Sequence, residues 1–385
     1  MRTIRTAVIG AGFMGSSHIE ALKRIGGIDI VMIACDDESQ AKNLANRYSI
    51  PKISTDWRGA IDNEEVEVIH NCTPNVLHFD INKAAILAGK HVISEKPLTI
   101  NSDQSMELVK LAQEKGLVNV VNFNYRFYPI IQHTQGMLEQ GEVGKIYLIH
   151  GHYLQDWLYY ATDYNWRLET EISGDSRAMA DIGSHWCDLV QFITGLKIRK
   201  VFADLVTIHK TRKRPACAVE TFKGKEQTEL TDAREISIRT EDAGSVLIEF
   251  DDGVKGVFTV SQISAGRKNR LWFEINGSKK SIAWDQEEPN KLWIGYREKA
   301  NEELMKDPSL LSKDSRKYAH YPGGHPEGYP DGPKNLFTNV YDFIRTLKDQ
   351  RVENTDFPTF SDGLWANRVV DAILMSHKEQ KWIEL

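Results

Sequence analysis

The chain has 385 residues, of which 41% are hydrophobic and 26% charged, values typical of a globular protein long enough for two domains. A net charge of -6 offers no electrostatic basis for binding nucleic acid or an acidic membrane surface. The four cysteines, Cys35, Cys72, Cys187 and Cys217, form no C-x-x-C pair, so we expect reduced thiols and no disulfide framework. The N-terminus leads directly into a strand, and no apolar run approaches the ~18 residues of a membrane span. We therefore expect a cytoplasmic protein.

The first predicted elements form a nucleotide-binding pattern. An apolar strand at 6–9 is followed by Gly10-Ala11-Gly12-Phe13-Met14-Gly15, a helix, and a second strand at 28–34 that ends at Asp36 and Asp37. Glycines permit a tight turn and a close approach to a pyrophosphate, whose charge lies at the helix N-terminus. Asp36 follows Gly15 by 21 residues, close to the ~20 typical of a carboxylate that binds the adenosine ribose. It would repel a 2′-phosphate, so the pattern predicts NAD rather than NADP.

The alternation of helices and strands continues to about residue 121. The predicted elements are a helix at 38–48, a strand at 66–70, a helix ending near Leu87, a strand at 92–93, a helix at 105–114 and a strand at 118–121. Repeated βα units predict a doubly wound parallel sheet, with a Rossmann domain at 1–123. The strand at 92–93 ends at Ser94-Glu95-Lys96-Pro97. Ligands bind beyond the carboxyl ends of such strands, so Lys96 is a candidate catalytic cation.

Residues 124–385 show a different pattern and predict an α+β domain for substrate binding and oligomerisation. Predicted strands lie at 146–149, 201–208, 236–239, 246–250, 254–260 and 271–275, and a last short strand is predicted at 382–383. Hairpin turns are predicted at Asp251-Asp252-Gly253 and Asn276-Gly277. Residues 210–232 and 298–333 are predicted loops, and the C-terminal helices, predicted at 336–347 and 364–375, could pack on the first domain. The large, mostly antiparallel sheet should leave one face exposed, which is a natural surface for oligomerisation.

A second chemical motif is Asp181-Ile182-Gly183-Ser184-His185. If the helix begins by Asp181, the two side chains lie on one face, since residues four apart are neighbours on a helix. A histidine can accept a hydroxyl proton near neutral pH, and a carboxylate beside it orients the ring. Asp181 as a simple helix cap and His185 as a buried structural histidine remain the alternative.

Taken together, these motifs resemble those of the Gfo/Idh/MocA oxidoreductase family, the glucose-fructose oxidoreductase and inositol dehydrogenase group. They occur in the family's order and span about half of the chain. The matching segments are Gly10–Gly15, Cys72-Thr73-Pro74-Asn75 with His78, Glu95-Lys96-Pro97, Asn122-Phe123-Asn124-Tyr125-Arg126, Asn165-Trp166-Arg167 and Asp181–His185. One departure is Gly174-Asp175-Ser176-Arg177, where the family usually has consecutive glycines, and it leaves the local loop shape and the substrate open.

The resemblance implies roles for individual residues. Lys96 matches the catalytic lysine, and Asp181 with His185 matches the D-x-x-x-H pair in which the histidine is the acid or base. Positions that line the dinucleotide are matched by Thr73, Asn75, His78, Glu95, Lys96 and Asn122, and positions near its nicotinamide end by Trp166 and Arg167. The resemblance and the chemistry of the residues together give the candidate substrate contacts Lys96, Arg126, Tyr153, Asp156, Trp166, Asp181, His185 and His325. The resemblance also implies a homodimer or homotetramer that assembles through the open sheet.

The chemistry of these groups agrees with an NAD-dependent sugar or polyol dehydrogenase or reductase. Oxidising a secondary alcohol needs a hydride acceptor, a base such as His185, and a positive charge such as Lys96 beside the developing alkoxide. The aromatic segment before the Asp-His motif suits a sugar or cyclitol ring, although ordinary packing explains single members equally well. The loop at 323–329 has two candidate polyol contacts, His325 and Glu327.

Three rival interpretations are weaker. Tyr48 and Lys52 have the Tyr-x-x-x-Lys spacing of short-chain dehydrogenases, but Pro51 breaks the helix that would align them. A metal site could use His150 and His152, or Asp181 and His185, but no Cys/His cluster has zinc spacing, so we expect no metal. A non-catalytic protein that senses the dinucleotide or a sugar is the alternative function, but a sensor has no reason to keep both Lys96 and His185.

Overall fold

The computed structural model describes residues 2–216, 233–347, 352 and 355–385. The chain divides into two compact units, Met1–Asn124 with Pro330–Asn367, and Tyr125–Tyr329 with Arg368–Leu385. We call them the first and the second unit. The prediction for Cys217 lies outside the described residues.

The described part of the chain contains the following strands: β1 (Ile4–Ile9), β2 (Ile28–Ala34), β3 (Lys52–Ser54), β4 (Val68–Asn71), β5 (His91–Ser94), β6 (Asn119–Val121), β7 (Ile146–Leu154), β8 (Ile198–Val206), β9 (Thr211–Arg214), β10 (Arg234–Ser237), β11 (Ala243–Phe250), β12 (Lys255–Ser261), β13 (Arg270–Gly277), β14 (Ser281–Asp285), β15 (Lys291–Gly295), β16 (Glu302–Met305) and β17 (Ile383–Glu384). Its α-helices are α1 (Phe13–Lys23), α2 (Glu38–Tyr48), α3 (Arg58–Ile61), α4 (His78–Leu87), α5 (Ser102–Lys115), α6 (Pro129–Glu139), α7 (Thr170–Ser173), α8 (Ser184–Thr194), α9 (Asp331–Thr346) and α10 (Phe360–Glu379).

The first unit contains the predicted parallel sheet, with strand order β3-β2-β1-β4-β5-β6. Every neighbouring pair in it is parallel. Strand β4 is buried along its whole length and β5 at all but its first residue, as expected when helices cover both faces. The order changes direction at β1 and β4, and this switch point is where doubly wound sheets bind their ligands. The prediction of a Rossmann sheet is confirmed.

The C-terminal segment 330–367 completes the first unit. Helix α9 packs on α1, and Phe360 and Leu364, from the start of α10, join the core that also contains Leu98, Val121 and Phe123. Gly363 lies so close to this core that a Cβ atom there would be 2.7 Å from the Val121 side chain and 2.8 Å from Leu98 Cβ. These helices are therefore part of the packing that supports the strand ends.

The second unit is built on a nine-stranded sheet of order β16-β15-β14-β13-β7-β12-β11-β8-β17. All its pairs are antiparallel except β7 with β12, so the predicted mostly antiparallel sheet is confirmed. Along β11 and β13, buried residues alternate with more exposed ones. One face thus packs on the core, and the other leaves Leu247, for example, 48% exposed.

Some sequence expectations for this unit were wrong. Asn276 and Gly277 both belong to β13, and the turn lies one step later, where Gly277 N donates to Lys280 O at 3.1 Å. Gly277 is needed for a close approach instead, because a Cβ atom there would lie 2.2 Å from Val143 O. The predicted loop at 298–333 contains edge strand β16, whose polar residues concealed it. The loop expected at 210–232 begins with β9; residues 217–232 lie outside the described part.

Among the described helices, none combines the length and the apolar character that a bilayer crossing requires.

Candidate functional site

The glycine turn between β1 and α1 leaves the space that a pyrophosphate needs. Gly10 has a φ of +101°, and a Cβ atom there would lie 2.6 Å from Cys72 O. A Cβ atom at Gly15 would lie 2.0 Å from Gly10 O, whereas at Gly12 it would meet nothing within 4 Å. The N-cap residue of α1 is Gly12, which has no side chain that could cap the helix, and the first turn has no acidic residue. The open space at Gly12 and this helix N-terminus therefore fit the phosphates of a dinucleotide.

The two acidic residues after β2 have different surroundings. Asp37 caps α2, since its Oδ1 accepts hydrogen bonds from the backbone N–H groups of Ser39 and Gln40 at 2.9 and 3.1 Å. These hydrogen bonds lower the pKa of Asp37, the Gln40 backbone contributing most. Asp36 Oδ1 accepts from its sequence neighbours, Asp37 N at 3.1 Å and Cys35 Sγ at 3.6 Å. Asp36 is thus the better placed of the two for a ribose, and Asp37 has a structural task.

His78 connects the two turns that follow β4 and β5. Its Nδ1 lies 2.7 Å from Pro97 O and its Nε2 lies 2.9 Å from Thr73 O. Burial lowers the pKa of His78, while the hydrogen bonds to these two carbonyl oxygens oppose the shift. Thr73 Oγ1 also donates to Asn71 Oδ1 at 2.7 Å. The turn that carries Thr73 and the buried Asn75 is therefore tied to the turn that carries Lys96.

Glu95 and Asn122 point into the first unit. Glu95 Oε1 lies 2.9 Å from His18 Nε2 and accepts a hydrogen bond from Asn122 Nδ2 at 2.5 Å. Burial alone would raise the pKa of Glu95, but the hydrogen bond and charge of His18, with Asn122 and Lys96, hold it at about 2. Lys96 itself is partly exposed. Sequence reasoning missed His18, because it lies in α1 among residues with helical apolar spacing and belongs to no motif.

In the second unit, Asp181 and His185 lie on one continuous helical segment. A single π-helical stretch, Met179–Gly183, runs directly into α8, and the latter ends at Gly195 in the left-handed conformation, as predicted. The His185 ring is 6% exposed, and the Tyr125 ring meets it edge-on at 4.8 Å between centroids. The condition that the helix includes Asp181 is therefore met.

Two side chains hold the Asp181 carboxylate. Arg167 Nε lies 3.3 Å from Asp181 Oδ1, and Gln262 Nε2 donates to Asp181 Oδ2 at 2.9 Å. The Arg167 guanidinium stacks on the Trp166 ring, 4.3 Å from its centroid, and Asn165 Oδ1 accepts from Arg167 N at 3.1 Å. The Asn-Trp-Arg motif and the Asp-His motif are thus parts of one arrangement.

Two tyrosines and an asparagine form a closed ring of hydrogen bonds beside His185. Asn269 Nδ2 donates to the Tyr125 hydroxyl at 2.9 Å, and the Tyr153 hydroxyl donates to Asn269 Oδ1 at 2.7 Å. The two hydroxyls are 2.8 Å apart, so Tyr125 must donate to Tyr153 because the single Tyr153 hydrogen is already used. Burial raises the pKa of both phenols. Each hydroxyl can therefore only accept a further hydrogen bond.

The loop that departs from consecutive glycines is anchored by two acidic residues. Glu241 Oε1 accepts from Ser176 Oγ at 2.8 Å, from Arg177 N at 3.0 Å and from Met179 N at 2.8 Å, which caps the segment leading to Asp181. The buried Arg177 guanidinium pairs with Asp242. Arg212 pairs with the same carboxylate at 2.8 Å. The segment 174–177, which departs from the family's consecutive glycines, is therefore a packed, ion-paired loop.

The other predicted substrate residues have partners of their own. Arg126 forms a two-pronged ion pair with Asp188 on α8, with Nε 2.8 Å from Asp188 Oδ2. Asp156 pairs with Lys268 and accepts from Gly266 N. His325 is exposed, and its carbonyl accepts from Lys306 Nζ at 2.9 Å. Glu327, considered as a polyol contact, is instead buried in an ion pair with Lys306 at 2.7 Å.

Within the residues that the structure describes, no group of three or more His, Cys, Asp or Glu side chains could hold a metal ion.

Sequence reasoning also missed Asn269 and Gln262. Gln262 is 81 residues from Asp181, and Asn269 is 144 residues from Tyr125. Only the sheet pairing of β12 and β13 with β7 brings them to the motifs that they contact.

Comparison with known proteins identifies the family of both parts of the chain. Residues 4–123 match the family described as "Oxidoreductase family, NAD-binding Rossmann fold", and residues 131–283 match the "GFO/IDH/MocA C-terminal domain". The chain belongs to the Gfo/Idh/MocA family. It is accordingly an oxidoreductase whose N-terminal part is an NAD-binding Rossmann domain.

Relatives of known structure cover the whole chain. Levoglucosan dehydrogenase of Pseudarthrobacter phenanthrenivorans is 27% identical over 410 aligned residues, covering 100% of this chain and 99% of its own. A crystal structure of an oxidoreductase domain protein from Kribbella flavida aligns at a TM-score of 0.88 with 28% identity, covering 100% and 99% of the two chains. A levoglucosan dehydrogenase structure in complex with NADH and L-sorbose aligns at 0.88 with 26% identity and the same coverage. Family members similar to this chain thus include sugar dehydrogenases.

Proposed function

We propose that the protein transfers a hydride between NAD(H) and a secondary alcohol or ketone of a sugar, sugar derivative or cyclitol. The relatives that span the whole chain include a levoglucosan dehydrogenase, and a levoglucosan dehydrogenase structure holds NADH with L-sorbose. The observation in this chain that carries the proposal is the supported pair of Asp181 and His185. Its carboxylate is held by Arg167 and Gln262, and its imidazole lies beside two tyrosine rings.

His185 is the proposed acid or base, and Asp181 orients it. An imidazole ordinarily titrates near neutral pH, so it can take the hydroxyl proton during oxidation and return it during reduction. Tyr125 and Tyr153 stay protonated because burial raises their pKa values, and each phenol oxygen can accept a hydrogen bond from a substrate hydroxyl. The ring with Asn269 keeps both phenols in one orientation. The carbon to be oxidised would be the one whose hydroxyl meets His185.

Lys96 is the proposed cation that stabilises the developing alkoxide. An ammonium group beside the reacting oxygen favours the transition state because negative charge increases there. Bound NAD supplies the hydride acceptor for the oxidation. Residues 1–123 would bind it, with Gly10, Gly12, Phe13, Met14 and Gly15 at the phosphates and Asp36 at the ribose. Residues 124–385 would bind the substrate.

The remaining dinucleotide positions fall into two groups. Thr73, Asn75, Trp166 and Arg167 are proposed to contact the dinucleotide directly. His78, Glu95, Asn122 and Asp37 have polar atoms engaged within the protein, and we assign them to holding the turns in shape. Further substrate contacts are proposed for Arg126, Asp156 and His325. Each would use hydrogen-bonding groups that its partners within the protein do not occupy.

The direct test is turnover. Purified protein with NAD and a panel of sugars, sugar acids and cyclitols should show formation of NADH by ultraviolet absorbance for at least one member. NADP should be used more poorly. Binding of NADH without turnover of any member, in either direction, would contradict the dehydrogenase proposal and favour a sensor.

We also propose that copies of the chain assemble through the open face of the large sheet. Across this face, Leu247 pairs with both Phe202 and Val257, and Leu247 is 48% exposed. Such an apolar row gains stability when a second sheet covers it. Light scattering on the purified protein should give a dimer or tetramer mass, and Leu247→Glu should reduce it. A monomer mass for the unmodified protein would contradict the assembly.

A further inference from the structure

A line of hydrogen bonds crosses the first unit from a backbone carbonyl to Glu95. Thr6 Oγ1 lies 2.9 Å from Val68 O, and the Tyr341 hydroxyl lies 3.0 Å from Thr6 Oγ1. His70 Nε2 lies 3.0 Å from the Tyr341 hydroxyl, and His70 Nδ1 lies 2.9 Å from His18 Nδ1. The line ends where His18 Nε2 lies 2.9 Å from Glu95 Oε1. It contains two imidazoles in direct contact.

The carbonyl at one end determines the direction of the first bonds. Val68 O can only accept, so the single hydroxyl hydrogen of Thr6 is used there. Tyr341 must then donate its own hydrogen to Thr6, since otherwise two hydroxyl oxygens would face each other with no hydrogen between them. The Tyr341 oxygen consequently accepts from His70, and His70 Nε2 carries a hydrogen.

The remaining contacts fix the number of hydrogens on the two rings. The contact between the two Nδ1 atoms needs one hydrogen. Asn122 Nδ2 lies 3.1 Å from His18 Nε2 and donates to the same Glu95 oxygen at 2.5 Å, so that oxygen is the acceptor for both nitrogens. The contact between His18 Nε2 and the Glu95 carboxylate therefore needs a second hydrogen. With the hydrogen on His70 Nε2, the pair holds three hydrogens on its four nitrogens. Two neutral imidazoles hold only two. The histidine pair therefore carries one positive charge, opposite one carboxylate.

Because the surroundings are buried, the positive charge on the histidine pair needs a partner of opposite charge. Both rings are fully buried, and the Phe337 ring meets them edge-on at 4.8 and 5.0 Å between centroids. A buried charge is tolerated only with a hydrogen-bonded partner of opposite sign, and Glu95 is that partner. Burial and the charge of His18 lower the pKa of His70 well below its ordinary value.

We propose that His18 and His70 share one extra proton and act as positioning residues for Lys96, by holding the Glu95 carboxylate beside it. His18 lies in α1, directly after the glycine turn, and His70 lies in β4. The pair thus joins the phosphate-binding helix to the turn after β5. No covalent step involves it.

Other titratable and charged groups face this arrangement. Cys72, His78 and Lys96 interact electrostatically with Glu95, and Arg345 interacts with Tyr341. Burial, aided by Glu95, raises the pKa of Cys72, and burial raises that of Tyr341, so both stay neutral at physiological pH.

Neutron diffraction tests the proton count without reference to catalysis. Crystals of the unmodified protein exchanged into heavy water at neutral pD should show three deuterons on the four ring nitrogens and none on Glu95. Two deuterons on the rings, or a deuteron on the Glu95 carboxyl, would overturn the charged pair. This experiment remains decisive even if the protein has no dehydrogenase activity.

Kinetics tests the positioning role, which rests on the proposed function. A glutamine at position 70 would keep an amide oxygen that accepts from His18 Nδ1, whereas a phenylalanine there removes every acceptor. We expect His70→Phe to lower kcat about tenfold with NADH affinity changed less than about twofold, and His70→Gln to recover most of the loss. His91→Gln, at a half-buried histidine of β5 outside the line, should leave kcat unchanged.

Equal kcat losses in His70→Phe and His70→Gln would overturn the positioning role, as would a normal kcat in His70→Phe. Thermal unfolding of both variants shows whether a loss of kcat reflects a loss of stability instead. The proposal requires that kcat depend on whether residue 70 has a hydrogen-bond acceptor for His18, and not on the unfolding temperature of the variant. If no variant and no unmodified protein turns over any substrate, the proposed function fails, and the deuteron count still judges the histidine pair.

Discussion

The networks around Glu95 and around His185 use buried polar groups in opposite ways. The first places a carboxylate against a charged histidine pair, deep in the first unit, with the direction of its hydrogen bonds determined by a backbone carbonyl. The second places one imidazole beside two neutral phenols, while the Asp181 carboxylate is only partly buried and pairs with Arg167. A buried charge pair suits a group that stays in place. Neutral ring neighbours suit the proposed role of His185, which gains and loses a proton.

The largest expected effect comes from removing the group that each network supports. Lys96→Met and His185→Ala should each lower kcat by about 10²-fold or more, because each removes a group that we propose acts in the transition state. They should differ in pH dependence: the His185 variant should lose the proton-linked change in kcat near neutrality, and the Lys96 variant should retain it. Steady-state rates across pH measure both effects.

The matched control is Lys110→Met, which removes an exposed lysine on α5 and should leave kcat unchanged. If a Lys96 or His185 variant turns over substrate like the unmodified protein, that residue has no role in the mechanism, and the contrast between the two networks is contradicted.

A smaller effect is expected when the hydroxyl ring of the second network is opened. Asn269→Asp replaces the amide donor to Tyr125 with an acceptor, so Tyr125 loses a partner and a negative charge enters beside His185. We expect kcat/KM to fall about tenfold, and Asn269→Ala to fall by less, since no charge is added. Asn276→Ala, on the neighbouring strand β13, is the control. Equal rates in both Asn269 variants would show that hydrogen-bond direction is unimportant there.

Substitutions of the two acidic residues after β2 should have different effects, one on cofactor choice and the other on stability. Asp36→Ala should weaken NAD binding about tenfold and reduce discrimination against NADP, because the carboxylate proposed to contact the ribose is lost. Asp37→Ala should leave cofactor preference unchanged and lower the unfolding temperature, because the α2 cap is lost. Titrations with both dinucleotides and thermal unfolding decide this. Altered preference in the Asp37 variant alone would reverse the assignment.

The smallest effect concerns acid stability at His91. Burial, with a smaller contribution from the charge of Arg2, lowers the pKa of His91 to about 4. Between that value and the ordinary pKa of about 6.5, the unfolded chain binds more protons than the folded one, so stability falls as pH decreases through this window. His91→Gln should flatten that fall. Unfolding temperatures from about pH 7 to about pH 4 measure it, and parallel curves would contradict the assignment.

Much of the architecture followed from local patterns. The apolar strands, the glycine turn, the acid 21 residues later and the βα spacing all operate over short distances along the chain, and they sufficed for the parallel sheet and its NAD-binding domain. Strand alternation likewise indicated the second sheet. Polar edge strands such as β16 escaped notice, since an edge strand has no apolar face to display. The roles of Lys96, Asp181 and His185 remain predictions.

By itself, the sequence determined the fold class, the family and the residue types available for catalysis, because these depend on periodicity and short motifs. Only the tertiary structure decided which polar groups meet: His18 with His70 and Glu95, or Asn269 with Tyr125 and Tyr153. These partners are 52 to 144 residues apart, and no local pattern records a contact at that distance. The directions of their hydrogen bonds, and with them the charge of the histidine pair, exist only once the strands and helices are packed.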